Sequence, residues 1–246
     1  MVLHMRSSRR CLTVLNSFLQ ARGLSMTHVT SQKRFHELVE LLTPIEVKTE
    51  KLTLGGEWPG CYTIPDDIQG VRACISPGVG DTVSFELELF EKYNVPSILV
   101  DSTVACPSNL PKSFIYLSHL VAPISSKDLN YVSLPELIEL SDARFGSGDC
   151  ILSIDIEGNE IDIFKYISPV DLKRFRIIVV EFHYLDLWAD NEYFDNYIWP
   201  VFNKLFKLFE LVNIHDTNAS YGGPKIHNFK FPAALEMTFW RKDRIR

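Results

Sequence analysis

The sequence has no apolar run approaching the ~20 residues that a helix needs to cross a bilayer, which excludes a membrane-spanning helix. It has no G-x-S-x-G elbow and no G-x-x-x-x-G-K-[ST] loop, so serine-hydrolase and P-loop functions lose their main signals. Cysteine is sparse: Cys11, Cys61, Cys74, Cys106 and Cys150 are odd in number, widely spaced and never form a C-x-x-C pair. Neither a disulfide framework nor structural zinc is expected, which suits a reducing compartment. Basic residues are outnumbered, with a formal net charge of −6, so there is no sequence-wide basis for tracking phosphates and no nucleic-acid partner is expected. Internal repeats and low-complexity tracts are absent too.

Acidic residues are missing from one region only. Nothing acidic precedes Glu37, whereas Arg6, Arg9, Arg10, Arg22, Lys33 and Arg34 do, a balance resembling that of a transit peptide. The apolar run Cys11 to Leu19 is interrupted by Thr13, Asn16 and Ser17, which weakens a signal-peptide reading. The expected location is cytoplasmic, with organelle targeting through this basic segment as the alternative.

What is present is an ordinary globular composition, 46 % apolar and 23 % charged, over 246 residues. That length suits one α/β domain plus a short extension. Residues 1–65 read as a basic N-terminal extension with a helix and an entry loop, and 66–246 as the core domain. Phe35, Leu38, Val39, Leu41 and Leu42 recur near helical spacing, and Pro44 stops the run. Leu54 to Asp67, rich in Gly and Pro, reads as loop. Strands are expected at 71–76, 97–100, 114–117, 150–156 and 177–182, with two more near 210–215 and 235–241. Helices are expected from about Thr82 to Asn94, at 134–140, at 160–166 and at 194–209. Continuous apolar runs such as Ile177-Ile178-Val179-Val180 predict strands buried on both faces, as in a parallel sheet covered by helices.

Four strand ends carry the residues that could do chemistry. Gly78-x-Gly80 follows one strand and precedes a helix, where missing Cβ atoms and free N–H groups allow a ligand to approach; a tight structural turn is the alternative. Asp81, Thr82 and Val83 follow in place of a third glycine, which disfavours a pyrophosphate cradle and leaves a nucleoside without phosphates as the better fit. Asp101 ends the next strand, about 20 residues on, where a carboxylate can accept both ribose hydroxyls or merely cap the strand. Asp155 and Glu157 end a third strand, as acid–base groups or as helix caps. His183 ends a fourth, within reach of neutrality for proton transfer. Asp155, Glu157, Glu181, His183 and His215 match no compact metal-ligand spacing, so no metal is expected.

These residues resemble the FkbM family of O-methyltransferases. Ile75 to Phe85 is similar to that family's first cofactor motif, Asp155-Ile156-Glu157-Gly158-Asn159-Glu160 to its D-[IV]-E-G-x-E motif, Phe175 to His183 to the strand that follows, and His215-x-x-Asn218 with Leu235 to Phe239 to its closing hairpin. The resemblance implies a Rossmann-like class I methyltransferase fold: an α/β domain with a mostly parallel seven-stranded sheet, helices on both faces and an antiparallel last strand. It further implies S-adenosylmethionine as cofactor, held by Pro77, Gly78, Val79, Gly80, Asp81, Ser84, Phe85, Asp101 and Ser102. Asp155, Glu157 and His183 would act in catalysis on a hydroxyl of a saccharide, small-molecule or natural-product acceptor. Ser76 stands where many methyltransferases carry an acid, and Cys61 where glycine is expected. The rival expectations are a catalytically inactive, methyltransferase-like binding or scaffold module and a nicotinamide-dependent oxidoreductase.

Overall fold

The computed structural model describes residues 28–56, 60–217 and 223–245. The basic segment ahead of His28, Cys11 and Asn218 lie outside them. In chain order the elements are α1 (Gln32–Leu41), β1 (Lys51–Leu54), β2 (Tyr62–Pro65), β3 (Ala73–Pro77), α2 (Ser84–Tyr93), β4 (Ser97–Val100) and β5 (Ile115–Leu117), then the short strands β6 (Leu120–Val121) and β7 (Tyr131–Val132). There follow α3 (Leu134–Phe145), β8 (Cys150–Ile154), α4 (Glu160–Tyr166), α5 (Pro169–Leu172), β9 (Phe175–Phe182), α6 (Asn191–Tyr193), α7 (Trp199–Leu208), β10 (Phe209–Asp216), β11 (Lys225–Ile226), β12 (Phe229–Lys230) and β13 (Leu235–Arg241).

Seven strands form one sheet in the order β10-β13-β9-β8-β3-β4-β5. Neighbours from β9 to β5 pair in parallel, and β13 runs antiparallel to both β9 and β10. This is the Rossmann-like arrangement that the resemblance implies. Side-chain alternation divides the sheet between two cores. Ile178, Val180, Leu152 and Ile154 pack with Phe35, Leu38, Leu137, Phe164 and Phe202 on one face, whereas Ile177, Val179 and Ile151 pack with Phe85, Leu89, Leu54 and Ile64 on the other. The first face is therefore covered by α1, α3, α4 and α7, the second by α2 and the β1–β2 hairpin. Burial on both faces is why β8 and β9 need unbroken apolar sequence.

The hairpin corrects the loop expected at Leu54 to Asp67. Gly55, Gly56 and Gly60 lie in the connection between strands, Pro65 closes β2, and Lys51 to Leu54 pairs antiparallel with Tyr62 to Pro65. Ile64 is buried, Thr238 Oγ1 donates to the Thr63 carbonyl at 2.8 Å, and Lys51 Nζ donates to the Val212 carbonyl at 2.5 Å. Tertiary burial thus recruits a segment whose composition reads as a turn. Three boundaries also move. The helix expected at 134–140 runs on to Phe145 and ends at Gly146 (φ +84°). The strand expected to reach 156 leaves the sheet after Ile154, because Glu157 and Gly158 take positive φ. The helix expected over 194–209 is a π-turn at Phe194–Ile198 that runs on into α7, with Phe209 already in β10; Pro200 falls just after the π-turn, where the helical hydrogen-bond pattern changes.

The amino edge of the sheet is closed by ion pairs. Arg176, 7 % exposed in its side chain, donates through Nε to Asp149 at 2.9 Å and through an Nη to the carbonyls of Asp67 and Gln69. Arg241 also binds Asp149, and Arg244 binds Asp67. Burial alone would raise both aspartates, but these guanidinium contacts, with Trp240 on Asp67, more than offset it and hold them below the ordinary carboxylate range. A depressed pKa contributes stability that is present at neutral pH and is lost as pH falls through the folded value. Arg176→Met should cost on the order of 3 kcal/mol in urea melts at pH 7, because it takes one of two guanidinium partners from each of two partly buried carboxylates and leaves the Asp67 and Gln69 carbonyls without their donor. The gap to the parent protein should narrow below about pH 4, where those carboxylates protonate in the unfolded chain.

Candidate active site

At the opposite edge, backbone hydrogen bonds continue past the strand ends and tie the turns together. Gly78 N donates to Val100 O at 2.8 Å, Asp101 N to Leu117 O at 3.1 Å, and Asp155 N to Pro77 O at 3.1 Å. Gly78 has φ +78°, and a Cβ placed there would stand 1.5 Å from the carbonyl oxygen of Asp155. Its missing side chain therefore serves the approach of the Asp155 turn, not that of a ligand as the sequence suggested. Gly80 differs: φ is +55°, nothing lies within 4 Å of its virtual Cβ, and its N–H donates to Asp101 Oδ2 at 3.0 Å. That N–H is therefore engaged by the acid and is not open to a ligand.

Asp101 is fixed by three donors, the Gly80 N–H and, on Oδ1, Thr103 N at 2.7 Å and Thr103 Oγ1 at 2.6 Å. Burial would raise its pKa, but the hydrogen bonds from Thr103 and Gly80 outweigh burial and keep it lowered. Asp101 opens onto a cavity of about 630 Å³, which Pro77, Gly78, Val79, Gly80, Asp81, Phe85, Asp155 and Glu157 also line. That volume falls within the ordinary range for small-molecule sites. Ser84 and Ser102, expected at the cofactor, do not line it. Ser84 Oγ instead donates to Gly60 O at 3.2 Å, and Thr103 takes the wall position next to Ser102. Tyr62, Ser76 and Glu86 line the cavity without having been singled out as site residues. Six lining residues carry carboxylates (Asp81, Glu86, Asp101, Asp155, Glu157 and Asp162), and none of the described lining residues is Lys or Arg.

Behind Asp155 the acids crowd together. Glu181 and Glu236 face one another in the β9–β13 register, a proximity legible only once those strands are paired. Burial, then Glu181 and Asp155, push the Glu236 pKa up to about 8. Asp155 rises to about 7, through burial and then Glu181, with His183 partly opposing. His183 does not line the cavity. Its Nδ1 is 3.0 Å from Oε1 of Glu160, and its Nε2 lies 3.8 Å from Asp155, 3.5 Å from Glu157 and 3.7 Å from Glu181. Burial would lower its pKa, yet the Glu160 hydrogen bond and the surrounding carboxylates carry it up to about 9, so the imidazole is cationic at neutral pH. Glu160, 1 % exposed, also accepts from Ile156 N and Gly158 N and so holds the turn that carries Glu157. Asp155, Glu157 and His183 each place one ligand atom within 4.8 Å of the others, a separation that one divalent cation could bridge.

Residues 104–205 match the family model described as the Methyltransferase FkbM domain. The match spans less than half of the chain. No curated protein and no solved structure matches it. The FkbM match includes Asp155, Glu157, Glu160, Glu181 and His183, and it begins after the glycine turn and Asp101. The match thus falls on the acidic half of the site, while the other half is joined to it by the sheet through the Gly78–Asp155 contact.

That contact separates the two glycines experimentally. Gly78→Ala should destabilise the protein by more than about 3 kcal/mol in chemical denaturation, since the Asp155 carbonyl has nowhere to go. Gly80→Ala, with open space around it, should cost only about 1–2 kcal/mol, from backbone conformation. Equal costs would contradict the geometry.

Proposed function

We propose that the protein transfers a methyl group from S-adenosylmethionine to a hydroxyl oxygen of a sugar or other small acceptor. The observation carrying this is a nucleoside-sized cavity with six carboxylates on its wall and, among the described lining residues, no Lys or Arg. Such a wall repels pyrophosphate, which counts against a nicotinamide dinucleotide, and favours a ligand with net positive charge. S-adenosylmethionine carries an ammonium and a sulfonium against one carboxylate, and when bound it supplies an electrophilic methyl group.

The chain's own residues then divide the work. Asp101, preoriented by Gly80 and Thr103, keeps acceptor capacity toward the cavity for ribose hydroxyls. Asp155 lines the cavity with a pKa of about 7, poised to take the proton of an acceptor hydroxyl at neutral pH. His183 shared candidacy as base in the sequence; set behind Asp155 and already protonated, it serves instead to favour the ionised form of Asp155. Tyr131, Asn159 and Asp162 on the wall offer an aromatic surface and hydrogen-bonding groups of the kind that a polyhydroxylated acceptor uses.

Asp101→Ala should weaken S-adenosylmethionine binding in calorimetry by about 10- to 100-fold, the range expected for losing a hydrogen bond to a charged group. Unchanged affinity would remove the ribose-anchor role. Asp155→Asn should lower kcat by about 10²- to 10⁴-fold with donor affinity retained. In the parent enzyme, turnover should rise through about pH 7 as Asp155 ionises. The same assay in excess chelator should match that in buffer if Asp155 acts as a base; loss of turnover restored by a divalent ion would instead make Asp155, Glu157 and His183 ligands.

A further inference from the structure

β3 ends at Ser76-Pro77, where the family resemblance leads one to expect an acid and the chain has a hydroxyl. A carboxylate reaches that place from the next element. Glu86, in the first turn of α2, is 4 % exposed, and Ser76 Oγ donates a hydrogen bond to its Oε1. Both residues line the cavity. Among the described residues no Lys, Arg or His pairs with Glu86, although a carboxyl group withdrawn from water with only the Ser76 hydroxyl and its own backbone N–H as partners is costly. Burial accordingly raises its pKa, against the pull of Ser76. What can meet it is whatever enters the cavity.

Its position says which part of a ligand that is. β3 lies between β4 and β8, so the Ser76–Glu86 station falls between Asp101 at the end of β4 and Asp155 at the end of β8. Resting on the donor reading above, we infer that Glu86 docks the α-ammonium of the donor's amino-acid arm, so that one helix-borne carboxylate distinguishes a complete S-adenosyl amino acid from a truncated nucleoside thioether. The ammonium donates to the Glu86 carboxylate, and the Ser76 hydroxyl keeps that carboxylate aimed. Placement in the first turn of α2 favours the ionised form through the helix dipole. No bond is made or broken in this step.

The test compares two probes that share adenosine and a thioether: S-adenosylhomocysteine, which has the ammonium, and 5′-methylthioadenosine, which lacks it. Calorimetric titration of the full chain carrying Glu86→Gln should show S-adenosylhomocysteine bound about 10- to 100-fold more weakly than by the parent, as for loss of a charge-assisted hydrogen bond, with 5′-methylthioadenosine unchanged. Equal affinity of parent and variant for S-adenosylhomocysteine overturns the assignment, and so does an equal loss for both compounds, which marks general damage to the cavity. A parent protein that binds neither compound overturns the donor reading and this one with it. Should Glu86→Gln fail to fold, Glu86→Asp, which withdraws the carboxylate by one methylene, is read in the same way: reduced discrimination supports the role and undiminished discrimination removes it.

Discussion

The carbonyl oxygen of Asp155 occupies the space that any side chain at position 78 would need, and the site depends on that contact. It lets the turn after β3 and the turn after β8 touch, and the Asp155 N–H locks the approach by bonding to Pro77. Neighbouring ties from Gly78 to Val100 and from Asp101 to Leu117 carry the same order across β4 and β5. Four strand ends are thereby held by backbone alone. Their side chains are left free for a ligand, the preorganisation that a binding or catalytic constellation needs.

Charge is distributed unequally between the two edges of the sheet. At the amino edge each buried aspartate has an arginine: Asp149 has Arg176 and Arg241, and Asp67 has Arg176 and Arg244. At the carboxyl edge Asp155, Glu157, Glu160 and Glu181 share one imidazole, His183, and Glu236 adds its charge beside Glu181 and Asp155. The first arrangement lowers carboxylate pKa values and supports the fold at neutral pH. The second raises those of Asp155 and Glu236 and opposes it as pH rises, because a raised folded pKa contributes stability only below it. Unfavourable electrostatics gathered beside one cavity are the mark of a candidate functional site.

Much of this architecture was legible in the linear chain. Ser97–Val100 and Leu235–Arg241 have the bounds expected, the first because a short apolar run closed by Asp101 admits few alternatives, the second because apolar residues alternate with Glu236 and Thr238. Asp101, Asp155 and the glycine turn were placed on a common rim by their strand ends alone. The β1–β2 hairpin was hidden because its turn residues dominate the local composition, and its strands are only four residues each. Glu86 was hidden for another reason: it lies in a helical stretch with nothing local to mark it, and only the packing of α2 on the sheet brings it to Ser76.

Periodicity and punctuation, which act over a few neighbouring residues, were sufficient to establish an α/β chain, most of its sheet and the acids at the ends of its strands. Which of those acids would be alone and which compensated was not local information. Glu236 meets Glu181 through antiparallel pairing across more than fifty residues of chain, and His183 becomes a cation because Glu160 of another element binds its Nδ1. Protonation state follows from desolvation and from charges brought near in space, so tertiary packing alone could assign one residue as base and its neighbour as support.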